Sequence, residues 1–495
     1  MTRRTRTILF SCFVFLFIVI APLIILYCQG YRFDFETKKI TQTGGFYFKT
    51  SPTSATIYLD GKKLNKKTDF FFGSVFWQNL LPKKYKARIE KDGYQPWQKT
   101  LEVKEKLVTE AKNIILFPQK LNFQTLSQIV EEFWPLPDGK RIILKKSSLP
   151  DQTLKTNNWR LVMYDIQKNV QSLFLEETTL GKKALPTGRQ ESADIISITP
   201  SSDSKKILIT TSIGEKIQNF VVELNGQTPT NPISLNFLEE GVENFNFNLT
   251  NSQKLFFING GSLFEADLIK KETSKNPILE NAVSYNQFDN NLYFLQSTPP
   301  AKKGGQSLGF IYKTDLSGKI IEKINETPVL LKPETDYKII IFLPNIFLQE
   351  GSTLYLFNPD SKAFEKFFEP IKNLKISSDS KKIAYFSEKS SASSDNDLWL
   401  LYVKDIDNQP QKKAGDIAFL TQLPNTIKDI FWLNSDYLIL NAGDEIKIVE
   451  TDDRDKIQTW DIGKFTNPEI FFNEADKKLY ILSEGNLYSS ENLLK

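Results

Sequence analysis

Short stretches in which apolar and polar residues alternate recur along most of the chain, and many end in a group of Asp, Asn, Ser or Gly. The clearest case is the string Ser-Ser-Asp-Ser-Lys-Lys-Ile, which occurs at 201–207 and again at 377–383. Alternation with a period of two is typical of a half-buried strand, and the polar group favours a tight turn. Each copy therefore predicts the turn of a β-hairpin.

Looser copies of this hairpin recur every few tens of residues, at 137–142, 250–255, 288–293, 433–438 and 474–480. Most units continue into a second pair of strands, such as 398–403 or 309–314. Four short antiparallel strands form a sheet with two apolar faces, and such sheets bury both faces by stacking radially as the blades of a β-propeller. The predicted blades lie near 133–175, 195–225, 243–270, 282–324, 337–368, 373–406, 428–462 and 468–494. The count is eight, and seven is the alternative.

The last predicted blade has only three strands, at 469–473, 478–483 and 486–490. A spare strand, 121–126, precedes the first blade. We predict that the spare strand completes the last blade, so that both ends of the domain close the ring.

The stretch Ile-Thr-Pro-Ser-Ser-Asp-Ser-Lys-Lys-Ile-Leu at 198–208 resembles the WD-repeat-like motif of TolB-type β-propellers, usually Ser-Pro-Asp-Gly-Lys before an aliphatic run. Pro200 stands two residues early, and only 137–140 keeps Pro-Asp-Gly-Lys intact. The resemblance covers about three quarters of the chain and implies the fold, whereas a fold alone does not imply a ligand.

The N-terminus carries Arg3, Arg4 and Arg6, followed by twenty uncharged residues from Ile8 to Tyr27. A stretch of this length spans the hydrocarbon core of a bilayer as a helix, and the positive-inside rule places its N-terminus in the cytoplasm. An uncleaved signal anchor is favoured over a cleaved signal peptide, because no Ala-x-Ala-like site follows. Lipid attachment at Cys28 and twin-arginine export are disfavoured, since both lack their flanking residues.

Residues 45–118 differ from the repeats. A strand ends in Ser51-Pro52, Ala55 begins the next strand, Asp60-Gly61 follows, and Gly93-Tyr94 stands near the end. This pattern resembles the PEGA domain, a small β-sandwich of exported and surface proteins. The chain departs from the family at Thr53-Ser54, where Glu-Gly is usual, and at 67–69, where Thr-Pro is usual. These departures leave the implied fold intact and weaken any binding role of the turns.

The predicted architecture is therefore all-β after the anchor: a cytoplasmic tail (1–7), a transmembrane signal anchor (8–28), a stalk hairpin (29–44), a PEGA-like β-sandwich (45–118) and a β-propeller (119–495). Lys and Arg outnumber Asp and Glu by 14 to 7 over 45–118, whereas the acids prevail by 50 to 43 over 119–495. A solvated lysine-rich surface explains the basic module, and contact with anionic lipid, with envelope polymer or with the acidic propeller are the alternatives.

The chain contains no histidine and only two cysteines, Cys12 and Cys28. No Gly-x-Ser-x-Gly, phosphate loop or cysteine pair for zinc is present, so serine-hydrolase, nucleotide and zinc chemistry are not expected. Acidic clusters occur at 395–397, at Asp405 with Asp407, and at 452–455. We interpret them as turn acids; a hard-cation site or the paired acids of a glycosidase is the alternative.

The sequence Leu-Pro-Thr-Gly at 185–188 lacks one residue of a sortase signal and is interpreted as a loop, within an insertion that covers 176–194. Most aromatic residues, including Trp399, Trp432 and the pair Phe256-Phe257, are predicted to pack between blades. An exposed minority at loop tips is the expected ligand platform.

We therefore expect a single-pass protein of the bacterial cell envelope, with its domains outside the cytoplasm. The membrane is expected to be contacted through residues 8–28, and the propeller to recognise an envelope protein or glycan rather than nucleic acid. No catalytic, cofactor-binding or metal-ligating residue and no cofactor are predicted. A carboxylate-dependent glycan hydrolase and a passive surface-layer component are the alternatives, and the oligomeric state is left open.

Overall fold

The structure is a computed structural model, which describes residues 3–64, 67–147, 158–180, 193–214, 216–224, 231–298, 306–388, 395–424 and 427–494. The Leu-Pro-Thr-Gly stretch lies outside these residues, as does most of the predicted insertion around it. Residues 389–394, which precede the acidic cluster at 395–397, also lie outside them.

The N-terminal helix α1 (Arg3–Cys28) is 26 residues long and buries none of its side chains within the protein. At 1.5 Å per residue it extends about 39 Å, enough to cross a bilayer. Length and composition make this helix able to serve as a membrane anchor or as a signal sequence.

A hairpin and a sandwich follow the helix. The hairpin pairs β1 (Tyr31–Asp34) with β2 (Lys39–Gln42), within the segment 29–44 for which a stalk hairpin is predicted. The sandwich contains β3 (Gly44–Ser51), β4 (Thr56–Leu59), β5 (Lys62–Lys63), β6 (Ser74–Leu80), β7 (Lys84–Glu90), β8 (Trp97–Glu102) and β9 (Val108–Ile115). One sheet has the order β6-β3-β9, with β3 and β9 parallel, and the other has the order β5-β4-β7-β8. Phe46, Phe48, Ile57, Ile89 and Trp97 fill the space between them.

The described residues after 118 form eight sheets, seven built from consecutive strands and one that combines both ends of this region. In chain order the strands are β10 (Phe123–Gln128); β11 (Val130–Pro135), β12 (Arg141–Ser147), β13 (Trp159–Asp165), β14 (Val170–Glu176), with a short 3-10 helix (Glu177–Leu180) after it; β15 (Ala193–Pro200), β16 (Lys206–Ile213), β17 (Lys216–Glu223), β18 (Ile233–Ser234); β19 (Glu243–Asn248), β20 (Asn251–Asn259), β21 (Ser262–Asp267), β22 (Glu272–Thr273); β23 (Ala282–Phe288), β24 (Asn291–Thr298), β25 (Ser307–Asp315), β26 (Ile321–Lys323), β27 (Val329–Leu331); β28 (Tyr337–Phe342), β29 (Asn345–Glu350), β30 (Thr353–Asn358), β31 (Ala363–Phe368); β32 (Lys372–Ile376), β33 (Lys382–Glu388), β34 (Asp395–Tyr402), β35 (Ile417–Pro424); β36 (Ile427–Asn434), β37 (Tyr437–Ala442), β38 (Glu445–Glu450), β39 (Thr459–Lys464); and β40 (Glu469–Asn473), β41 (Lys478–Ser483), β42 (Asn486–Ser490). We number the sheets blade 1 (β11–β14) to blade 8 (β40–β42 with β10).

The blades form a closed ring. Each neighbouring pair of blades shares one hydrophobic cluster, and the series returns from blade 8 to blade 1, where Tyr480 and Leu482 pack with Leu144 and Tyr164. Each sheet therefore buries both faces against its neighbours, which is what a propeller requires.

The spare strand closes the ring as predicted. Strand β10 pairs antiparallel with β42, with Phe123 opposite Ser490, and forms the fourth strand of blade 8. Phe123 also packs on Phe465, with ring centroids 5.0 Å apart. The first and last strands of the ring thus belong to one sheet.

The two copies of the repeated string fold alike. The Ser201 hydroxyl donates to Asp203 Oδ1 at 2.7 Å and accepts from the backbone N–H of Lys206 at 3.0 Å. The corresponding bonds around Ser377 measure 2.7 and 2.9 Å. In both copies the fourth residue has a positive φ, 56° at Ser204 and 60° at Ser380. The serine and the aspartate therefore satisfy the backbone of the turn, which explains why the string predicts a hairpin.

The buried lysines that follow these turns differ in their partners. Lys206 pairs with Glu223 of its own blade. Lys382 instead reaches blade 7, where its Nζ donates to the carbonyl of Ser435 at 2.5 Å and to Asp436 Oδ1 at 3.0 Å. Both copies of the string therefore close a turn, and the copy at 377–383 in addition joins blade 6 to blade 7.

The predicted end of the sixth blade, near residue 406, is wrong. Its fourth strand is β35, which pairs with β34 after an excursion of the chain over residues 403–416. The excursion carries its own β-bridge, between Ile406 and Lys412. The strand was missed because the hairpin pattern assumes a short connection, whereas this connection is long enough to contact the sandwich.

Candidate functional site

The first candidate site is a cavity of about 540 Å³ at the ends of the innermost strands of blades 6, 7, 8 and 1. Strands β11 and β40 lead here into hairpin turns that line the cavity, at 137–139 and 474–475, and β32 and β36 contribute strand residues at 375–376 and 430–432. Its apolar walls come from Pro135, Ile376, Phe431, Trp432 and Phe471. We call this cavity the mouth.

Polar groups lie beside these aromatic rings. Lys375 Nζ lies 3.1 Å from Asp429 Oδ1 and 5.2 Å from the centre of the Phe431 ring. The Trp432 indole N–H donates to the carbonyl of Lys375 at 3.0 Å, which fixes the orientation of that ring. A pocket with aromatic walls and a few fixed polar groups is suited to binding a ligand.

A second cavity, of about 650 Å³, runs along the innermost strands of blades 5 and 6. Lys375 and Ile376 line both this cavity and the mouth. Its other lining groups include Asp336, Lys338 and Asn286, whose Nδ2 donates to the carbonyl of Ile339 at 2.9 Å. The two cavities therefore meet at β32, near the axis of the ring.

The sandwich is joined to the propeller by a buried ion pair. Lys99 Nζ lies 2.5 Å from Glu450 Oε1, and the side chains are 0% and 3% exposed. The Trp97 indole N–H donates to the other carboxylate oxygen at 3.1 Å, and the backbone N–H of Gln458 donates to Oε1 at 3.0 Å. Both oxygens of Glu450 are thus satisfied, as a buried carboxylate requires.

Burial raises the pKa of Glu450 to about 7, against the opposing effect of Lys99. The neighbouring Asp452 behaves differently: burial works to raise its pKa, but the hydrogen bonds and charge of Arg454, together with the charge of Lys99, lower it overall. Both carboxylates line a cleft of about 160 Å³ between the sandwich and blades 6 and 7. Since each is held by a cation, we assign both to the junction between the two parts.

The propeller also covers the strand edges of the sandwich. At β9, Gln409 donates to the carbonyl of Val108 at 3.0 Å and accepts from the N–H of Glu110 at 2.9 Å. The N–H of Ile115 donates to the hydroxyl of Tyr437 at 3.1 Å. Exposed edges invite pairing with other chains, so these bonds protect the sandwich as well as fixing its position.

Strand β8 is covered in the same way. The N–H of Gln98 donates to the side chain of Gln458 at 3.1 Å, and the N–H of Thr100 donates to Asp455 Oδ2 at 2.7 Å. An apolar contact continues the junction, because Phe117 packs between Tyr437 and Trp460. The basic sandwich therefore contacts the acidic propeller, which is one of the alternatives given for its excess of lysine and arginine.

Two of the three acidic clusters singled out in the sequence are held in turns and ion pairs. The interpretation of 395–397 as turn acids is wrong, because these residues lie in strand β34 and pair with β35. Asp405 lies 2.8 Å from Lys413 Nζ, and Asp453 lies 2.5 Å from Lys412 Nζ. Asp407 is in the same excursion and accepts a bond at its backbone carbonyl. Within the part of the chain that the structure describes, no group of three or more acidic or thiol side chains is arranged to hold a metal ion.

The predicted positions of the aromatic residues are largely confirmed. Phe256, Phe257 and Trp432 are buried, and Trp399 packs against Phe368 and Phe419 at the side of blade 6. The ion pair of the junction was not predicted from the sequence. Its only signal was the opposite net charge of the two modules, because the two residues are separated by 351 positions.

No family model and no curated protein matches this chain. Among solved structures it is similar to the propeller of Dos1, with 11% identity over 75% of this chain and 95% of that chain and a TM-score of 0.44. It is also similar to the β-propeller domain of the Trilobed protease from Pyrococcus furiosus (11% identity, 73% and 96% coverage, TM-score 0.36) and to an oligogalacturonate lyase in complex with manganese (12%, 63% and 96%, 0.38).

The class defined by the fold is thus a mostly β protein with one apolar N-terminal helix and a β-propeller. This assignment rests on the eight sheets and their shared clusters described above.

Proposed function

We propose that this chain is a membrane-anchored binding or scaffolding protein of the cell envelope, whose propeller recognises a protein or glycan at the mouth. Helix α1 is the anchor, the sandwich is a PEGA-like module, and the domains after residue 28 lie outside the cytoplasm. The observation that carries the proposal is the mouth itself, where aromatic walls and fixed polar groups from four blades surround one cavity. A closed ring holds such groups in place, which favours recognition.

The junction supports a role as a scaffold. The buried ion pair and the covered strand edges attach the propeller rigidly to the sandwich, and the sandwich follows the helix after a short hairpin. A partner bound at the mouth would therefore be held at a set position relative to the membrane. Catalysis is not part of the proposal, since Asp429 beside the mouth and Glu450 and Asp452 at the junction have cationic partners.

The topology is tested with protease on intact or spheroplasted cells. Arg3, Arg4 and Arg6 hold the N-terminus inside, so external protease should digest the propeller while an N-terminal tag stays protected. Protection of residues 45–495 would contradict the proposed orientation.

Binding is tested with the whole chain in nanodiscs, incubated with purified envelope glycans and proteins. Removing the sandwich would expose the Glu450 carboxylate, so the isolated propeller is not a suitable reagent. We expect saturable retention that Phe431→Ala and Phe471→Ala reduce and Ile320→Ala, a change at an exposed side chain in blade 4, leaves unchanged. Release of cleaved product, abolished by replacing one or two acids, would overturn the binding proposal in favour of a hydrolase.

A further inference from the structure

The loop between β5 and β6 presents three consecutive phenylalanines to solvent. Phe70, Phe71 and Phe72 are 72%, 80% and 72% exposed. Adjacent exposed aromatic side chains are unusual on a soluble surface and mark a contact site.

The loop is built to hold these side chains outward. Asp69 Oδ1 accepts from the backbone N–H groups of Phe71 and Phe72, both at 2.8 Å. Gly73 has φ +65°, and a Cβ there would lie 2.2 Å from the carbonyl oxygen of Thr50. The backbone of residues 69–73 is therefore fixed against the sandwich, while the aromatic side chains of this stretch project from it.

The position of the loop limits what can cover it. Strands β5 and β6 are the outer strands at one side of the two sheets, and β8 and β9, at the other side, face the propeller. The aromatic loop thus lies on the side of the sandwich away from the propeller. The propeller of the same chain does not cover it.

Exposed aromatic side chains also lie between the loop and α1. Arg32 in the stalk hairpin donates to Asn79 Oδ1 of β6 at 3.4 Å, so the hairpin lies beside this edge. The hairpin exposes Phe33 and Phe35, at 48% and 83%, and β6 exposes Phe76 at 46%. Exposed aromatic residues thus follow one side of the molecule from the end of α1 to the loop. The distance along β6 is about 20 Å at 3.3 Å per residue.

Basic residues accompany the loop. Lys49, Lys62, Lys63 and Lys67 are exposed, and all lie in or next to the strands that the loop connects. Phenylalanine next to lysine is suited to the interface of a bilayer with anionic lipid, where the rings enter the headgroup region and the ammonium groups contact phosphates.

We propose that the edge formed by the stalk hairpin, β6 and the phenylalanine loop is a second membrane contact, which rests on the surface of the bilayer that α1 crosses. The inference rests on the proposed anchoring role of α1. The sandwich would then lie along the membrane, and the propeller would be held on the side turned away from this contact.

The test uses the full chain in nanodiscs, with Cys12→Ser and Cys28→Ser and one fluorophore attached after Phe17→Cys, Phe71→Cys or Ile269→Cys. Phe17 lies in α1, and Ile269 is an exposed apolar residue of blade 3, each 71% exposed. We expect lipid nitroxides deep in the acyl chains to quench the label at position 17, and nitroxides near the headgroups to quench the label at position 71. Only aqueous iodide should quench the label at position 269.

A label at position 71 that behaves like the one at 269 would overturn the proposal, and so would protection from both quenchers, which indicates a protein partner. If aqueous iodide also quenches the label at position 17, α1 does not cross the bilayer. That result contradicts the anchoring role of α1, whereas quenching by iodide at position 71 alone contradicts only the second membrane contact. Asp69→Ala keeps the phenylalanines but frees the loop, and should weaken quenching at position 71. Lys62→Gln, Lys63→Gln and Lys67→Gln together should abolish any increase that phosphatidylglycerol causes; an unchanged increase would contradict the role of the lysines.

Discussion

Removing the cation of the buried pair at the junction is the most informative perturbation. Lys99→Met keeps the length of the side chain and deletes the charge beside Glu450. Removal of one partner from a buried ion pair costs about 3–5 kcal/mol where the remaining group stays charged, and less where it takes up a proton. We therefore expect the junction to open far more readily in this variant at a pH at which Glu450 is ionised.

The free-energy cost of Lys99→Met should increase with pH, because the pKa of Glu450 is raised in the folded protein. The pKa of Glu450 is raised from 4.5 to about 7 in the folded protein, so folding favours its neutral form. The stability contributed by this group is fully present below pH 4.5 and is lost as the pH rises to about 7, by on the order of 3 kcal/mol. Without Lys99 the pKa of Glu450 rises further, so Lys99→Met should cost little at pH 5 and about 1.4 kcal/mol more at pH 8, one unit above the pKa of the parent.

Hydrogen exchange of the segment 97–102 measures the opening, since the N–H groups of Gln98 and Thr100 bond across the junction. After correction for intrinsic rates, the cost that appears between pH 5 and pH 8, about 1.4 kcal/mol for a parent pKa of about 7, corresponds to exchange about tenfold faster at pH 8. Replacing both partners, Lys99→Met with Glu450→Leu, should recover most of the protection. Lys362→Met, in an exposed ion pair of the propeller, is the control and should have little effect. Equal effects of Lys99→Met at pH 5 and pH 8 would refute the reasoning.

Three further predictions concern the ring and the junction. Ser377→Ala removes the hydroxyl that satisfies its turn and should lower the unfolding free energy by about 1–2 kcal/mol in thermal melts, whereas Ser378→Ala, at the exposed neighbouring position, should have no effect. Tyr437→Phe leaves the part-buried N–H of Ile115 without its acceptor and should cost about 1 kcal/mol, visible as faster exchange at the end of β9; unchanged exchange would contradict the assignment. Phe123→Ala removes the ring that packs on Phe465 and should cost about 2 kcal/mol, and a melting curve like the parent's would indicate that β10 contributes little to closure.

Much of the propeller could be predicted because its information is local. The repeated string carries its own hydrogen bonds within six residues, so each copy forms the same turn wherever it occurs. The strands at 469–473, 478–483 and 486–490 were predicted at their observed bounds for the same reason. Blade 6 was not fully predicted, since β35 follows a long excursion and its pairing with β34 depends on contacts distant in sequence.

The sequence by itself determined the apolar helix, the alternating strands, the turns and the need for blades to stack, because these depend on the chemistry of neighbouring residues. The tertiary structure decided which side chains of distant segments meet. It placed Lys99 against Glu450, turned Lys382 to the next blade while Lys206 stays in its own, and left Phe70, Phe71 and Phe72 on the outside of the sandwich. A lysine or a phenylalanine has the same local pattern in either environment, and only the packing of whole modules determines whether it becomes buried, paired or exposed.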